Sequence, residues 1–257
     1  MFLETLNSAE NVLNILYVWS AQQKPELGLT EISRCTGINK STAYKILLSL
    51  RERGLVAIDP ESKKYRLDVG ILELSSHLLR NMDLRSVAHP LLKELAERSG
   101  KTVTLALCKE RHLVFIDRVD GCENVRFYCD VGKVVYYNTG AAGKAAFAFL
   151  PPGQMRDILM EAPVNRFTPN SRSWEQMIDE APLIQKNGYA ISDEEVDAGV
   201  YAVGTPLFDH RGRVVAGMAL ATLKYQLSEQ DQSEMIALAL EYSEAISRRL
   251  GCPRRGT

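Results

Sequence analysis

Residues 29–67 read LTEISRCTGINKSTAYKILLSLRERGLVAIDPESKKYRL. Thr30 is a good N-cap residue, and Ile32 and Cys35 fall on the inner side of the short helix it would open. Gly37 can supply the left-handed conformation that ends it. Asn39 can cap a second helix, in which Ala43, Ile46, Leu47 and Leu50 recur at i, i+3, i+4 and i+7 and make one apolar stripe. Gly54 ends that helix. Residues 55–58 and 64–67 have strand character, and Asp59, Pro60, Glu61 and Ser62 between them are turn formers. Helix, turn, helix and hairpin in that order are a winged helix-turn-helix.

Ser41, Tyr44 and Lys45 point away from the apolar stripe, and Lys40 and Thr42 stand near the start of the second helix. Hydroxyls and cations in the first turns are what a recognition helix offers to base edges and phosphates in a major groove. Lys63, Lys64 and Arg66 lie near the hairpin tip. Between residues 29 and 66, Arg34, Lys40, Lys45, Arg51, Arg53, Lys63, Lys64 and Arg66 outnumber Glu31, Glu52, Asp59 and Glu61 two to one, although the whole chain carries a net charge of −1. Basic charge is thus concentrated where double-stranded operator DNA would lie. Ser41, Thr42, Tyr44 and Lys45 are expected at bases, and Lys40, Lys63, Lys64 and Arg66 at phosphates. The bland alternative is two ordinary core helices with solvated charges.

Before the motif, residues 8–21 carry Val12, Ile15, Leu16 and Trp19 at helical spacing and complete a three-helix headpiece. After it, residues 70–81 place Ile71, Leu74, Leu78 and Leu79 on one helical face. This linker helix lacks a partner within the headpiece, which favours the same helix of a second subunit. Asp83 is a candidate N-cap for the next helix, in which Pro90 predicts a kink or restart before Gly100.

From residue 101 the period changes to alternation. Strands are expected at 102–108, 113–119, 125–129, 134–137, 189–192, 200–207 and 213–221, and helices at 143–150, 154–160 and 174–186. Ser228 caps a terminal helix with Ile236, Leu240, Ser243, Ser247 and Leu250 along one side. The fold class is α+β: an N-terminal winged helix-turn-helix domain at 1–68, a linker helix at 69–82, and a domain at 83–257 with an antiparallel sheet flanked by helices.

The 257 residues are 46% hydrophobic and 25% charged, an ordinary soluble composition. No apolar run approaches bilayer length and no signal-peptide layout opens the chain, so a cytoplasmic location without membrane association is expected. The five cysteines are odd in number and irregular in spacing, and reduced, buried thiols are the default expectation.

The chain resembles the IclR (isocitrate lyase regulator) family of bacterial transcriptional regulators. In the headpiece the resemblance rests on Leu29, Thr30, Glu31, Ile32, Thr36, Gly37, the run Lys40, Ser41, Thr42, then Leu47, Leu50, Gly54, Leu55, Tyr65 and Leu67. In the second domain it rests on Ala141, Gly143, Lys144, Ala145, on Gly188, Tyr189, Ala190 with Asp193, Glu194, Glu195 and Gly199, and on Pro206. The resemblance implies a winged-helix DNA reader joined by a helix to a GAF-like effector-binding domain, assembled as homodimers that often pair into tetramers. It also implies a small organic acid effector that alters operator binding or the recruitment of RNA polymerase.

Carried over by position, the effector site would include Phe127, Val135, Tyr137, Ala141, Ala142, Ser192, Val200, Ala202, Ala219 and Ala221. Backbone N–H groups at Ala141 and Ala142, ahead of a helix starting near Gly143, are a natural anion seat that needs no charged side chain. Ser192 stands at a frequent aspartate position of the family, and Ala202, Ala219 and Ala221 replace Cys or Ser residues of some members. Fewer hydrogen-bonding partners point to an acid with a more apolar body, which Tyr136 and Tyr137 would flank by stacking. The alternative is that the alanines merely pack a tight sheet.

Other chemistry is weaker. Residues 140–144 lack the spacing and the Ser or Thr of a phosphate loop. Cys108, His112, Cys122 and Cys129 lack a paired metal-ligand spacing, so no metal or other cofactor is expected. Asp193, Glu194 and Glu195 have no nucleophile or histidine partner and read as a solvated acidic turn, not an acid–base pair, and no enzyme is expected. The other class of reading is a small-molecule-sensing or enzymatic α+β protein whose headpiece serves protein contacts.

Overall fold

The computed structural model describes residues 7–22, 24–74, 83–122 and 129–252. The chain divides into two compact units, 1–82 and 83–257. In the first, α1 (Asn7–Gln22), α2 (Leu29–Thr36) and α3 (Lys40–Glu52) are followed by the antiparallel hairpin β1 (Val56–Ile58) and β2 (Tyr65–Leu67). Ile15, Trp19, Ile32, Ala43, Leu47, Leu50, Val56 and Tyr65 form its core. Leu27 pairs with Tyr65 through two backbone hydrogen bonds of 2.8 and 2.9 Å, and the Trp19 indole donates to the Tyr65 carbonyl at 3.2 Å. The hairpin is therefore fastened to α1 and to the α1–α2 connection at Tyr65, the first residue of its second strand.

Two local expectations are corrected. α2 begins at Leu29 with Gly28 at the N-cap, so Thr30 lies inside the helix, and Cys35 is exposed, because a two-turn helix buries only the side that carries Ile32. Residues 70–74 are helical; Leu72 and Leu74 are each 66% exposed, and Leu78 and Leu79 lie outside the described residues.

The second unit holds α4 (Asp83–Ser99), β3 (Thr102–Cys108), β4 (Leu113–Val119), β5 (Val134–Val135), α5 (Gly140–Phe147), α6 (Pro152–Glu161) and α7 (Trp174–Asn187). β6 (Ala190–Asp193), β7 (Val200–Phe208), β8 (Val214–Leu223) and α8 (Glu229–Arg249) complete it. The sheet is antiparallel, in the order β5-β4-β3-β8-β7-β6. α4 continues through Pro90 without a restart; the proline is on the exposed side, where a missing helix N–H costs least. The strand expected at 134–137 ends at Val135, and most of the one expected at 125–129 lies outside the described residues. α8 buries Met235, Leu238, Ala239, Tyr242 and Ile246 beside Ser243 and Ser247, leaving Ile236, Leu240 and Leu250 only half-buried. Its inner stripe is thus rotated toward residues that pack on α4 and β7.

Two local features set the positions of α5 and of the β4 side chains. A Cβ added to Gly204 would lie 2.2 Å from the Ala141 carbonyl carbon, and one added to Gly217 would lie 2.2 Å from the Ala142 oxygen. Helix α5 thus rests backbone to backbone on β7 and β8. A β-bulge skips Ile116, so Phe115 pairs with Ala106 while Asp117 pairs with Leu105. The extra residue breaks the alternation, so Phe115 and Asp117, two positions apart, face opposite sides of the sheet.

Candidate functional site

In the headpiece, the Asn39 side chain accepts from the Thr42 N–H at 2.9 Å and from the Ser41 hydroxyl at 2.8 Å, closing the first turn of α3. Lys40, Ser41, Tyr44 and Lys45 are exposed and Thr42 is half-buried. At the hairpin tip, Asp59 accepts from the Glu61 and Ser62 N–H groups at 3.1 and 2.6 Å. The Ser62 bonds hold its carboxyl below the ordinary 3.8. Lys63 takes a left-handed φ of 57° within this turn. Lys63, Lys64 and Arg66 are exposed, and none of the five cations forms an ion pair among the described residues. One helix start and one hairpin thus offer exposed positive charge, part of which, at Arg66, also acts on the nearby Asp59 carboxylate.

In the second unit, a cavity of about 70 Å³ lies between the start of α5 and the sheet. Its walls are Thr139, Gly140, Ala141 and Ala142 from the helix side, Thr104, Phe115, Cys129, Ala202, Ala219 and Ala221, and Ser192, Val196, Asp197 and Val200. Register explains the strand contribution: Ser192 pairs with Ala202, Ala202 with Ala221, and Thr104 with Ala219. The helix begins at Gly140, three residues before the expected Gly143, so Ala141 and Ala142 lie within its first turn. Thr139 gives no side-chain cap, its hydroxyl accepting instead from Asn165 at 2.9 Å. First-turn N–H groups therefore remain available to a ligand. Asp197 is the only charged residue among the described walls. Burial pushes the Cys129 thiol up to about 11, so this wall is a neutral thiol at pH 7.

Of the positions expected to line the site, Ala141, Ala142, Ser192, Val200, Ala202, Ala219 and Ala221 surround this cavity. Val135 and Tyr137 do not: both are buried in the main core, where Tyr137 packs against Phe147 and its hydroxyl donates to the Lys109 carbonyl at 2.7 Å. Without a strand beyond Val135, the chain turns inward and takes the tyrosine with it. Phe127 lies outside the described residues. Thr104, Phe115, Cys129, Thr139, Gly140, Val196 and Asp197 are not evident from the sequence; the strand pairing of Thr104 with Ala219 is the signal that leads to the first of them. Ala141, Ala142, Ala202 and Ala219 also touch one another where helix meets sheet, so tight packing explains their size as well as any ligand does.

In the acidic run 193–195, expected as a solvated turn, Asp193 and Glu194 are partly exposed but Glu195 is not. Glu195 and Lys144 are each 1% exposed, with Lys144 Nζ 2.6 Å from Glu195 Oε1 and 2.9 Å from Glu180 Oε2. Burial raises the Glu195 carboxyl above its usual value, against the opposing pull of Lys144 and Arg172. Glu194, at φ 56°, accepts from Lys224 at 2.7 Å and from the Gly199 N–H at 2.9 Å. A wider groove of about 380 Å³ lies at the C-terminal end of α7 beside Leu240, Glu244 and Arg248. Helix carbonyl ends and an i,i+4 ion pair make it no seat for an anion.

Comparison with known proteins decides the family. Residues 8–60 match the IclR helix-turn-helix domain, and residues 76–248 match the C-terminal domain of bacterial IclR transcriptional regulators. The chain belongs to the IclR family. It is similar to the transcriptional regulator XynR of Escherichia coli, at 30% identity over 96% of this chain and 98% of that protein. The Thermotoga maritima IclR structure aligns with a TM-score of 0.76 and 30% identity, covering 96% of this chain and all of that one. The fold is also that of an IclR homologue from Microbacterium hydrocarbonoxydans, crystallised with 4-hydroxybenzoate, at a TM-score of 0.80 and 19% identity over 95% and 99% of the two chains. As an IclR-family protein it is a DNA-binding transcriptional regulator with an α+β, GAF-like C-terminal domain. The exposed Lys40 and Lys45 of α3 fall within the matched helix-turn-helix domain, and Lys63, Lys64 and Arg66 of the hairpin follow it in the same compact unit. Among the described residues, no helix is long and apolar enough to cross a membrane.

Proposed function

We propose that this IclR-family regulator reads its operator as a homodimer, or a pair of dimers, through Ser41, Thr42, Tyr44 and Lys45, with Lys40, Lys63, Lys64 and Arg66 on phosphates. It works in the cytoplasm as a regulator and not as an enzyme. A small organic acid with a partly apolar or aromatic body, bound in the cavity at the start of α5, modulates operator binding or polymerase recruitment. The observation that carries the effector reading is the uncapped first turn of α5 opening onto walls that contain no cation among the described residues. Backbone N–H groups then take the carboxylate, Phe115, Val200 and the alanines face its body, and Thr104 and Ser192 have room for a hydroxyl. 4-Hydroxybenzoate, the ligand of the Microbacterium homologue, is of this class. Exposed Leu72 and Leu74 support a subunit contact along the helix that follows the wing.

Thermal unfolding of the full chain against a panel of aliphatic and aromatic carboxylates tests the effector. A ligand at a hundred times its Kd adds about 2.7 kcal/mol. A shift with at least one acid, abolished by Ala142→Asp, is expected. Stabilisation by neutral polyols alone would sink the carboxylate reading.

A further inference from the structure

The cavity has two walls far apart in sequence, the start of α5 and the loop after β6, and a third segment is fastened to both. Asn138, just before α5, donates to the carbonyls of Asn165 and Arg172 at 2.8 and 3.0 Å and accepts from the Asn165 N–H at 3.2 Å. On the other wall, the Thr168 hydroxyl donates to the Glu194 carbonyl at 2.6 Å, and the Ser171 hydroxyl to the Glu195 carbonyl at 2.7 Å. Residues 165–172 therefore form a polar strap outside the cavity. Under it sits the ion network. Lys144 stands one turn along α5 from Gly140, and Glu195 directly precedes the cavity residues Val196 and Asp197. Arg172 Nε lies 2.6 Å from Glu180 Oε1 and 3.3 Å from Glu195 Oε1, joining the strap to the pair.

A buried pair of this kind contributes little net stability, because desolvation offsets the attraction. Glu195 Oε2 has no hydrogen-bond donor among the described residues, which makes the balance poorer still. What the pair does supply is a fixed separation between two segments that share no strand pairing. We propose that Lys144 and Glu195 are positioning residues of the effector cavity: their ion pair, locked by the 165–172 strap, holds the first turn of α5 and the loop 194–199 in register for a bound ligand. This rests on the effector reading for its purpose but not for its geometry.

The test compares full-chain wild type, Lys144→Met, and the doubly neutral Lys144→Met/Glu195→Gln. Lys144→Met alone leaves the buried Glu195 carboxylate with only Arg172, 3.3 Å away, as a cationic partner and is strongly destabilised; the double variant removes both charges and is expected to keep the unfolding midpoint. Amide hydrogen exchange is the readout. In the double variant the hydrogen-bonded amides of 144–147 in α5 and those of 194–199 exchange at least tenfold faster together, while β3 and β8 keep their protection. Faster exchange spread evenly over the domain, or none at either segment, overturns the proposal. Benzoate and 4-hydroxybenzoate titrations separate this from the effector reading. An acid that stabilises wild type should lose at least tenfold in affinity in the double variant, and unchanged affinity overturns the positioning role. If neither acid binds wild type, the aromatic effector reading fails while the exchange pattern still decides the pair.

Discussion

The two units use charge in opposite ways. In the headpiece, Lys40, Lys45, Lys63, Lys64 and Arg66 stand in solvent with no carboxylate partner among the described residues. In the C-terminal unit, Lys144 and Glu195 are sealed inside, and Asp117, 3% exposed, is held by His89 at 2.8 Å and by Arg85 at 3.5 Å. A surface that meets a polyanion gains by leaving its cations uncommitted, since each phosphate contact releases counterions. The proposed anion site would instead use backbone N–H groups at a helix start, while the buried charges beside it pair with one another. Residues of the same chemical type are thus functional when solvated and architectural when buried.

The contrast can be broken or sharpened by substitution. Lys144→Met should cost about 3–5 kcal/mol in urea unfolding, the penalty for stranding a buried charge, whereas Lys64→Ala should stay within about 0.5 kcal/mol of wild type. Equal effects would erase the distinction between strut and contact. Gly217→Val comes next: overpacking against the Ala142 carbonyl should cost about 1–3 kcal/mol or more and weaken any acid binding in parallel. On DNA, Lys45→Ala should lower discrimination between operator and random sequence by about 1–3 kcal/mol. Lys64→Ala should weaken both alike and reduce the salt slope by about one. Binding isotherms at several salt concentrations, showing the same loss on both DNAs for both variants, would merge the two roles.

The smallest effect concerns pH. The Lys224 hydrogen bond, with the Gly199 N–H, holds Glu194 below its ordinary 4.5. A depressed carboxylate favours the folded state above that value, and the advantage fades as pH falls through the folded pKa. Wild type and Glu194→Gln should therefore differ slightly in unfolding midpoint at pH 6 and converge near pH 3; a gap that widens on acidification would reverse the sign.

The headpiece is legible in the sequence because its signals are local. Asn39 caps the residue three positions on, Gly37 terminates the helix it follows, and the stripe from Ala43 to Leu50 lies within one element. In the second unit, strand alternation places β3, β4, β7 and β8 to within a residue or two. Its cavity is legible only in part. Thr104 enters through the register of β3 with β8, strands more than a hundred residues apart, and Phe115 through a bulge between β3 and β4 that alternation alone does not reveal. Glu195 reads as solvated because an isolated carboxylate in an acidic run gives no hint of a lysine 51 residues away. Tyr137 reads as a ligand contact because its position is carried over from the family, whereas the chain after Val135 turns into the core and takes the ring with it.

The glycine seats beneath α5 have a consequence for how this regulator could change its ligand over evolutionary time. With Gly204 and Gly217 in contact with the backbone of Ala141 and Ala142, the floor of the cavity admits no added atom without lifting the helix. The side chains around it, Thr104, Phe115, Ser192, Val196 and Val200, carry no such restriction. If the proposed site holds, new ligand preferences would arise by drift on that rim, while the helix start, pinned to the sheet at Gly204 and Gly217, stays in place.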